Sequence, residues 1–282
     1  MDVVIVAPGA GSRVPVLSCA DELRALGAQV EIFDAEEDTD IDVALEAAGI
    51  PKAPNADMSG GARLIVAGSD GVRRAVLRRL VKRAAPPPSK RPPWLEENRT
   101  IADLPSLGLL PLDPPGEMPD LVQLLELPAT PAEVAAATYQ GHTRRLDLFR
   151  NDGGSLTIHG VLLGAADEAG NTLPWQARID VDDILLAAGE ENIVACSITN
   201  AGGYGSIAGV DLVTNPDPAD GKVSVGVAIW AGKGIEVRKA RGRAVAISPG
   251  DTPIPFTDDG VDGTLSRKKT WWAEPQAWSV YR

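Results

Sequence analysis

The chain is poor in aromatic residues. They fill 4% of its 282 positions, with three Phe and three Tyr beside six Trp, so aliphatic side chains must build most of the core. Cysteine is nearly absent. Cys19 and Cys196 lie far apart and form no Cys-x-x-Cys or metal-spaced pair, which excludes a disulfide framework and reads as two reduced thiols. The two histidines, His142 and His159, have no partner at metal spacing and read as structural. Positive charge is in deficit: 27 Lys and Arg against 39 Asp and Glu leave a formal charge of -12. General nucleic-acid binding needs a cationic surface to displace counterions from phosphates, so no nucleic-acid partner is expected. No apolar run approaches the ~20 residues of a membrane span. The start, MDVVIVAPGAG, has an acid at position two and a Pro-Gly turn after a short apolar run, so it reads as a first strand rather than a signal peptide. A cytoplasmic protein is the expectation. Neither a Gly-x-Ser-x-Gly turn nor a Walker-type Lys turn occurs.

What is present is organised in two grammars. Hydrophobic residues at 44% and charged residues at 23% give the balance of a globular chain. The first half alternates: Val3 to Val6 as a buried strand, a helix capped by Ser18 and stopped by Gly27, Val30 to Phe33, a helix over Ile41 to Ala48, Leu64 to Val66, a helix over Gly71 to Ala84, and Leu107 to Leu112. That order predicts an N-terminal doubly wound parallel sheet domain over residues 1–141. The stretch 85–99 holds five prolines and reads as a loop. TPAEVAAATYQG, Thr130 to Gly141, carries a Thr-x-x-Glu capping box, Pro at the first helical position and a closing Gly. From residue 142 to 282 short β-rich runs separated by Gly, Asn, Asp and Pro predict a C-terminal antiparallel β-sandwich domain. Of Trp271 and Trp272, adjacent on one strand, only one is expected in the core.

The chemistry-bearing stretch is LIVAGSDGVRRAVL, Leu64 to Leu77. A strand that ends in Gly68-Ser69-Asp70-Gly71 and opens a helix brings backbone N-H groups and a positive helix end to one point. Glycine lets an anion approach the main chain, and Asp70 could organise a magnesium ion beside it. Such turns also serve as plain connections. The helix that follows is basic, with Arg73, Arg74, Arg78, Arg79, Lys82 and Arg83, and Lys90 and Arg91 come after it. It reads either as a contact for anionic headgroups or phosphates, or as a solvated face.

Three further stretches follow in order: LGLLPLDPPGEMPDLVQLLELPATPAEVAAATYQGHTRRLDL, NAGGYGSIAGVDLVTNPDPADGKVSVGVAI, and DDG before AEPQAWSVY. In order and approximate spacing the set resembles the catalytic family of diacylglycerol kinases, bacterial lipid kinases related in fold to sphingosine kinases and NAD kinases. The resemblance covers nearly the whole chain and is most specific from Leu107 to Leu148. It implies ATP and Mg²⁺ as cofactors, a nucleotide site between the two domains, and a lipid or other small hydroxyl compound as acceptor. Residue by residue, it implies nucleotide contacts from Pro8, Gly11, Gly68, Ser69, Asp70, Gly71 and Arg74. Asp70 and Asp220 would serve the metal, with Asp217 as a weaker candidate, and Asp70 with Asp259 or Asp262 would serve catalysis. Peripheral contact with an anionic membrane and a homodimer are the partners it allows.

The departures are as informative. The family reads Gly-Gly-Asp-Gly-Thr, then Asn and Glu, where this chain has Gly68-Ser69-Asp70-Gly71-Val72, Arg74 and Ala75. If Ser69 needed positive φ it would cost ~1 kcal/mol. The family's Pro-Leu-Gly-Thr-Gly-Asn-Asp falls on Pro111, Leu112, Asp113, Pro114, Pro115, Gly116 and Glu117, where two prolines remove two N-H donors. Asp113 against a phosphate charge about 4 Å away would cost ~4 kcal/mol at an effective dielectric of about 20 unless a cation intervenes. The family's Asp-Gly-Glu is Asp259-Gly260-Val261, with Asp262 adjacent, and its Asn-Pro-x-x-Gly is Ala7-Pro8-Gly9-Ala10-Gly11. The family's helical excursion between Asp147 and Ile193 is replaced by a short β-like stretch. Two functions follow: an ATP-dependent lipid kinase of reduced activity, or a pseudokinase that binds an anionic ligand or a partner without catalysis.

Overall fold

Val3, Val4, Ile5 and Val6 are all buried, as a strand covered on both faces requires. In the computed structural model, which describes residues 1–7, 9, 13–52, 61–86, 91–113, 119–166, 172–207 and 209–282, they belong to β1 (Asp2–Val6). Then follow α1 (Val14–Ala25), β2 (Gln29–Phe33), α2 (Asp38–Ala47), β3 (Arg63–Ala67), α3 (Asp70–Ala84), β4 (Ser106–Leu110), α4 (Leu121–Leu124) and α5 (Pro131–Gln140). The antiparallel part comprises β5 (Thr143–Asn151), β6 (Leu156–Thr157), β7 (Gly160–Leu163), β8 (Ala165–Ala166), β9 (Thr172–Leu173), β10 (Ala177–Val181) and β11 (Ile184–Ala188). It continues with β12 (Ile193–Thr199), β13 (Ser206–Ile207), β14 (Val210–Asp211), β15 (Val223–Trp230) and β16 (Ile235–Gly242). The last four strands are β17 (Ala244–Pro249), β18 (Ile254–Asp258), β19 (Val261–Leu265) and β20 (Lys269–Tyr281).

Two compact units divide the chain: Met1–Leu146 with Gln276–Arg282, and Asp147–Pro275. In the first, β1 pairs in parallel with β2 and β3, β3 with β4, and β4 with the end of β20 through Ser106↔Ser279 and Leu107↔Val280. Val3, Ile5, Ile65 and Leu110 pack with Val16, Ala20 and Leu23 of α1 and Val134 of α5. Helices α2 and α3 contact each other, β1 meeting α2 and β3 meeting α3. The capping box of α5 forms as its sequence predicts, with Thr130 accepting from the Glu133 N-H and Gly141 closing the helix at φ 80°. The first helix starts at Val14, ahead of Ser18, because Pro15 supplies the preset φ of a first turn.

In the second unit a six-stranded antiparallel sheet, β16-β15-β12-β7-β18-β19, shares one core with β10, β17 and the first part of β20. Val161, Ile198, Val225, Val227, Ile179, Val245, Ile247 and Trp271 meet there. Every residue of β12 is buried. Trp271 is buried and Trp272 half-buried, as alternation along a strand dictates. Among the described residues between Asp147 and Ile193 the regular elements are strands, and no described helix is long and apolar enough to cross a membrane.

Candidate functional site

The turn between β3 and α3 is set by its glycine. Gly68 sits at φ 141°, where a Cβ would also press on the Val72 side chain at 3.0 Å, and its N-H donates to the Leu110 carbonyl on β4 at 2.9 Å. Ser69 takes an ordinary extended backbone, φ -74°, so the positive φ falls on Gly68 and Ser69 bears no such cost. Pro8 and Gly11, expected to contact a nucleotide, lie outside the described residues, as do Pro114 to Glu117 of the second glycine motif and Lys90.

Asp70 opens α3 and is buried. Its Oδ1 accepts from Arg73 Nη1 at 2.5 Å, and its Oδ2 accepts from the Leu121 N-H at 3.0 Å. The same Nη1 reaches Asp120 Oδ2 at 2.9 Å. Asp120 in turn caps α4: its Oδ1 accepts from the Gln123 N-H, and Gln123 Oε1 accepts from the Asp120 N-H. One guanidinium therefore bridges two carboxylates. Arg73 has no solvent exposure, and its Nε and Nη2 find no hydrogen-bond partner among the described residues; an unmet buried group costs about 1–3 kcal/mol. Sequence reasoning placed Arg73 among the bases of a surface helix and missed Asp120 altogether. The available signal was the Asp-x-x-Gln capping pattern ahead of the apolar run Leu121 to Leu125.

The negative charge of Asp113 also meets an arginine. Arg13 Nη2 lies 2.9 Å from Asp113 Oδ1 and donates to the Leu112 carbonyl at 2.8 Å. Half of the basic residues of α3 are spent on α2: Arg78 pairs with Asp38 at 2.7 Å, Arg79 with Asp42 and Asp38, and Arg83 with Asp42 at 3.1 Å and with the Ile50 carbonyl. Hydrogen bonds from Arg79 hold the Asp42 carboxyl below the usual carboxylate range against its burial, with Arg83 adding to the effect. Arg78, Arg79 and Arg83 thus form an ion-paired helix interface, because α2 presents acids at matching spacing.

The remaining candidates belong to the second unit. Asp259 occupies the turn between β18 and β19 at φ 51°. Its Oδ2 accepts from the Ile158 N-H at 2.8 Å, and its Oδ1 from the N-H groups of His159 and Gly160 at 2.9 and 3.1 Å. Next to it, Gly260 donates to Tyr204 Oη at 3.0 Å, and Asp258 Oδ1 accepts from Thr157 Oγ1 at 2.7 Å. Asp262 is exposed on β19 and accepts from Thr257 Oγ1 across the hairpin at 2.7 Å. Asp220 pairs with Arg241 and accepts from the Lys222 N-H, while Asp217 accepts from the Ala219 N-H.

No protein-family model and no curated protein sequence matches the chain. Solved structures do. A diacylglycerol kinase from Bacillus anthracis strain Sterne aligns over 100% of this chain and 97% of its own, with a TM-score of 0.68 and 15% identity. A structure of a proposed diacylglycerol kinase from the same strain aligns over 99% of this chain and 96% of its own, with a TM-score of 0.69 and 15% identity. The fold is the diacylglycerol kinase fold. At such low identity the likeness is one of fold, so what the site of this diacylglycerol kinase fold can do rests on its own residues.

As placed, the carboxylates expected to serve a magnesium ion meet arginines and backbone N-H groups. A hard divalent cation at these oxygens would share them with the donors already there and compete with the arginine's charge. Both oxygens of Asp70 and both of Asp220 are engaged by an arginine and a backbone N-H. At Asp259 all three backbone donors converge on the carboxylate, which suits a tie between segments better than a base. What this chain has at the turn is the positive φ of buried Gly68 and the positive end of α3.

Proposed function

We propose that this chain is a pseudokinase, a protein that uses the diacylglycerol kinase fold to bind an anionic ligand or a protein partner and does not transfer phosphate. The observation that carries this reading is the Arg73 guanidinium between Asp70 and Asp120. A metal-dependent phosphotransferase needs a mobile divalent cation that neutralises the transferring phosphates. Here a covalently fixed cation occupies that electrostatic role beside Asp70. Displacing it would break a buried pair, at about 3–5 kcal/mol. The loss of the Thr, Asn and Glu side chains expected around the turn, with Val72, Arg74 and Ala75 in their places, points the same way.

The test is transfer itself. Radiolabelled ATP with Mg²⁺ and extracted membrane lipids should give no labelled lipid, and calorimetry with ATP should give the same heat with and without Mg²⁺. Labelled lipid that disappears in Asp70→Ala would overturn the reading.

A second reading, an ATP- and Mg²⁺-dependent kinase acting on a lipid hydroxyl, is favoured by the alignment of the fold over the whole chain. In it Asp70 and Asp220 serve the metal, and Asp259 or Asp262 lies near the acceptor. The same assay separates the two.

A further inference from the structure

A cleft of about 750 Å³ in the second unit is lined by Asp152, Gly153, Thr264, Leu265, Ser266, Arg267, Lys268 and Lys269. Its walls are the turn between β5 and β6 and the connection from β19 to β20. Two hydrogen bonds tie these walls together: the Asp152 N-H donates to the Thr270 carbonyl at 3.2 Å, and the Thr270 N-H donates to Asp152 Oδ2 at 3.1 Å. The first wall is itself braced, since buried Asn151 accepts from the Ser155 N-H through Oδ1 at 3.1 Å. Lys269 is held in place, its Nζ 5.0 Å from the Phe256 ring centre and 5.2 Å from that of Trp271.

The charge of this cleft runs against the rest of the molecule. Three consecutive cations face one carboxylate in a chain of net charge -12. Elsewhere in the unit Arg178, Arg238 and Arg241 are each paired with an acid. Arg267 and Lys268 are exposed and form no ion pair with any described residue. Adjacent like charges repel, and an oxyanion between them removes that cost. Cations alone would accept any anion. Asp152 and the hydroxyls of Thr264 and Ser266 add acceptors and donors for alcohol groups. A volume of this size suits a small molecule rather than a single ion.

We infer that this cleft is a binding site for a phosphorylated polyol, with Arg267, Lys268 and Lys269 on the phosphate and Asp152 with Thr264 and Ser266 on the hydroxyls. The same chemistry is offered by a free sugar or glycerol phosphate and by a glycerol-bearing anionic lipid headgroup. The site is built within one unit and does not depend on the pseudokinase reading.

Two probes distinguish the sources. The intact protein is titrated with glycerol 3-phosphate while its amide NMR signals are followed. It is also sedimented with vesicles of phosphatidylcholine alone or of phosphatidylcholine and phosphatidylglycerol in equal parts. Saturable shifts at the Gly153 and Ser266 amides, weakened about tenfold in Arg267→Ala/Lys268→Ala, establish the soluble ligand. Sedimentation that requires phosphatidylglycerol and is lost in the same double variant establishes the headgroup. Both substituted side chains are exposed, and near-ultraviolet circular dichroism from the tryptophans checks that the variant is folded. Absence of both responses, shifts confined to other residues, or a double variant that binds like the wild type overturns the assignment.

Discussion

Arg73 stands on the inward face of α3, where helical spacing puts it among Val76, Leu77 and Leu80. A buried guanidinium is tolerated there because Asp70, one turn back, and Asp120 share its charge. If that guanidinium is an internal counter-cation, Arg73→Leu should leave two carboxylates facing each other and cost about 3–5 kcal/mol. The variant's melting temperature should then rise on addition of Mn²⁺ or Mg²⁺, while the wild type stays unmoved. A variant as stable as the wild type and indifferent to divalent ions would show that Arg73 merely fills space. Asp70 was legible from the sequence as the acid of a glycine turn; its partners were not, because a carboxylate reads the same whether a metal or an arginine meets it.

At the scale of elements, Asp259 joins two stretches about a hundred residues apart. It sits between β18 and β19 and gathers the N-H groups of residues 158 to 160, at the start of β7. Removing it leaves three buried donors without their acceptor, each worth about 1–3 kcal/mol. Asp259→Ala is therefore expected to lose several kcal/mol in urea unfolding, with Asp259→Asn intermediate because the amide oxygen can still accept. Unchanged stability in both would return Asp259 to the list of candidate bases. The neighbouring Gly203 shows how closely this region is packed: a Cβ there would fall 1.2 Å from His159 Nε2. Strand alternation and the α5 cap were readable from the chain, because each is written within a few residues; that one of Trp271 and Trp272 is core was readable too, but not which. The α4 turn was overlooked since four residues carry too little periodicity to stand out.

For the molecule as a whole, acid should be the weak direction. The folded state holds Asp42 below its ordinary range through Arg79 and Arg83. Burial would raise Asp103, yet hydrogen bonds from Arg145 and Arg99 outweigh it and hold that carboxyl low as well. A carboxyl whose folded value is depressed stabilises the fold above its unfolded value, and that contribution fades as pH falls through the folded one. Stability should be flat near neutrality and decline below about pH 4. Asp42→Asn should destabilise at neutral pH and cost much less at pH about 3, where the wild-type pair is also being lost. An equal cost at both values would remove the ion pair as the cause. At the other end of the scale, burial pushes the Cys19 thiol up to about 12 and Cys196 higher still. Both should resist thiol reagents in the native protein and react together in urea.

The alternation of strands and helices, the change to antiparallel grammar after α5, the α5 cap and the glycine turn at Gly68 were determined by the sequence alone. Each depends on spacings of two to four residues that act before any tertiary contact forms. The tertiary structure decided which charges meet. Arg73 finds Asp120 across 47 positions, Arg13 finds Asp113 across 100, and Asp259 finds Ile158 across 101. It also brought the end of β20 back beside β4 in the first unit, where local pattern groups it with the second. Long-range pairings of this kind follow from how packed elements bring distant turns together, and local periodicity carries no record of them.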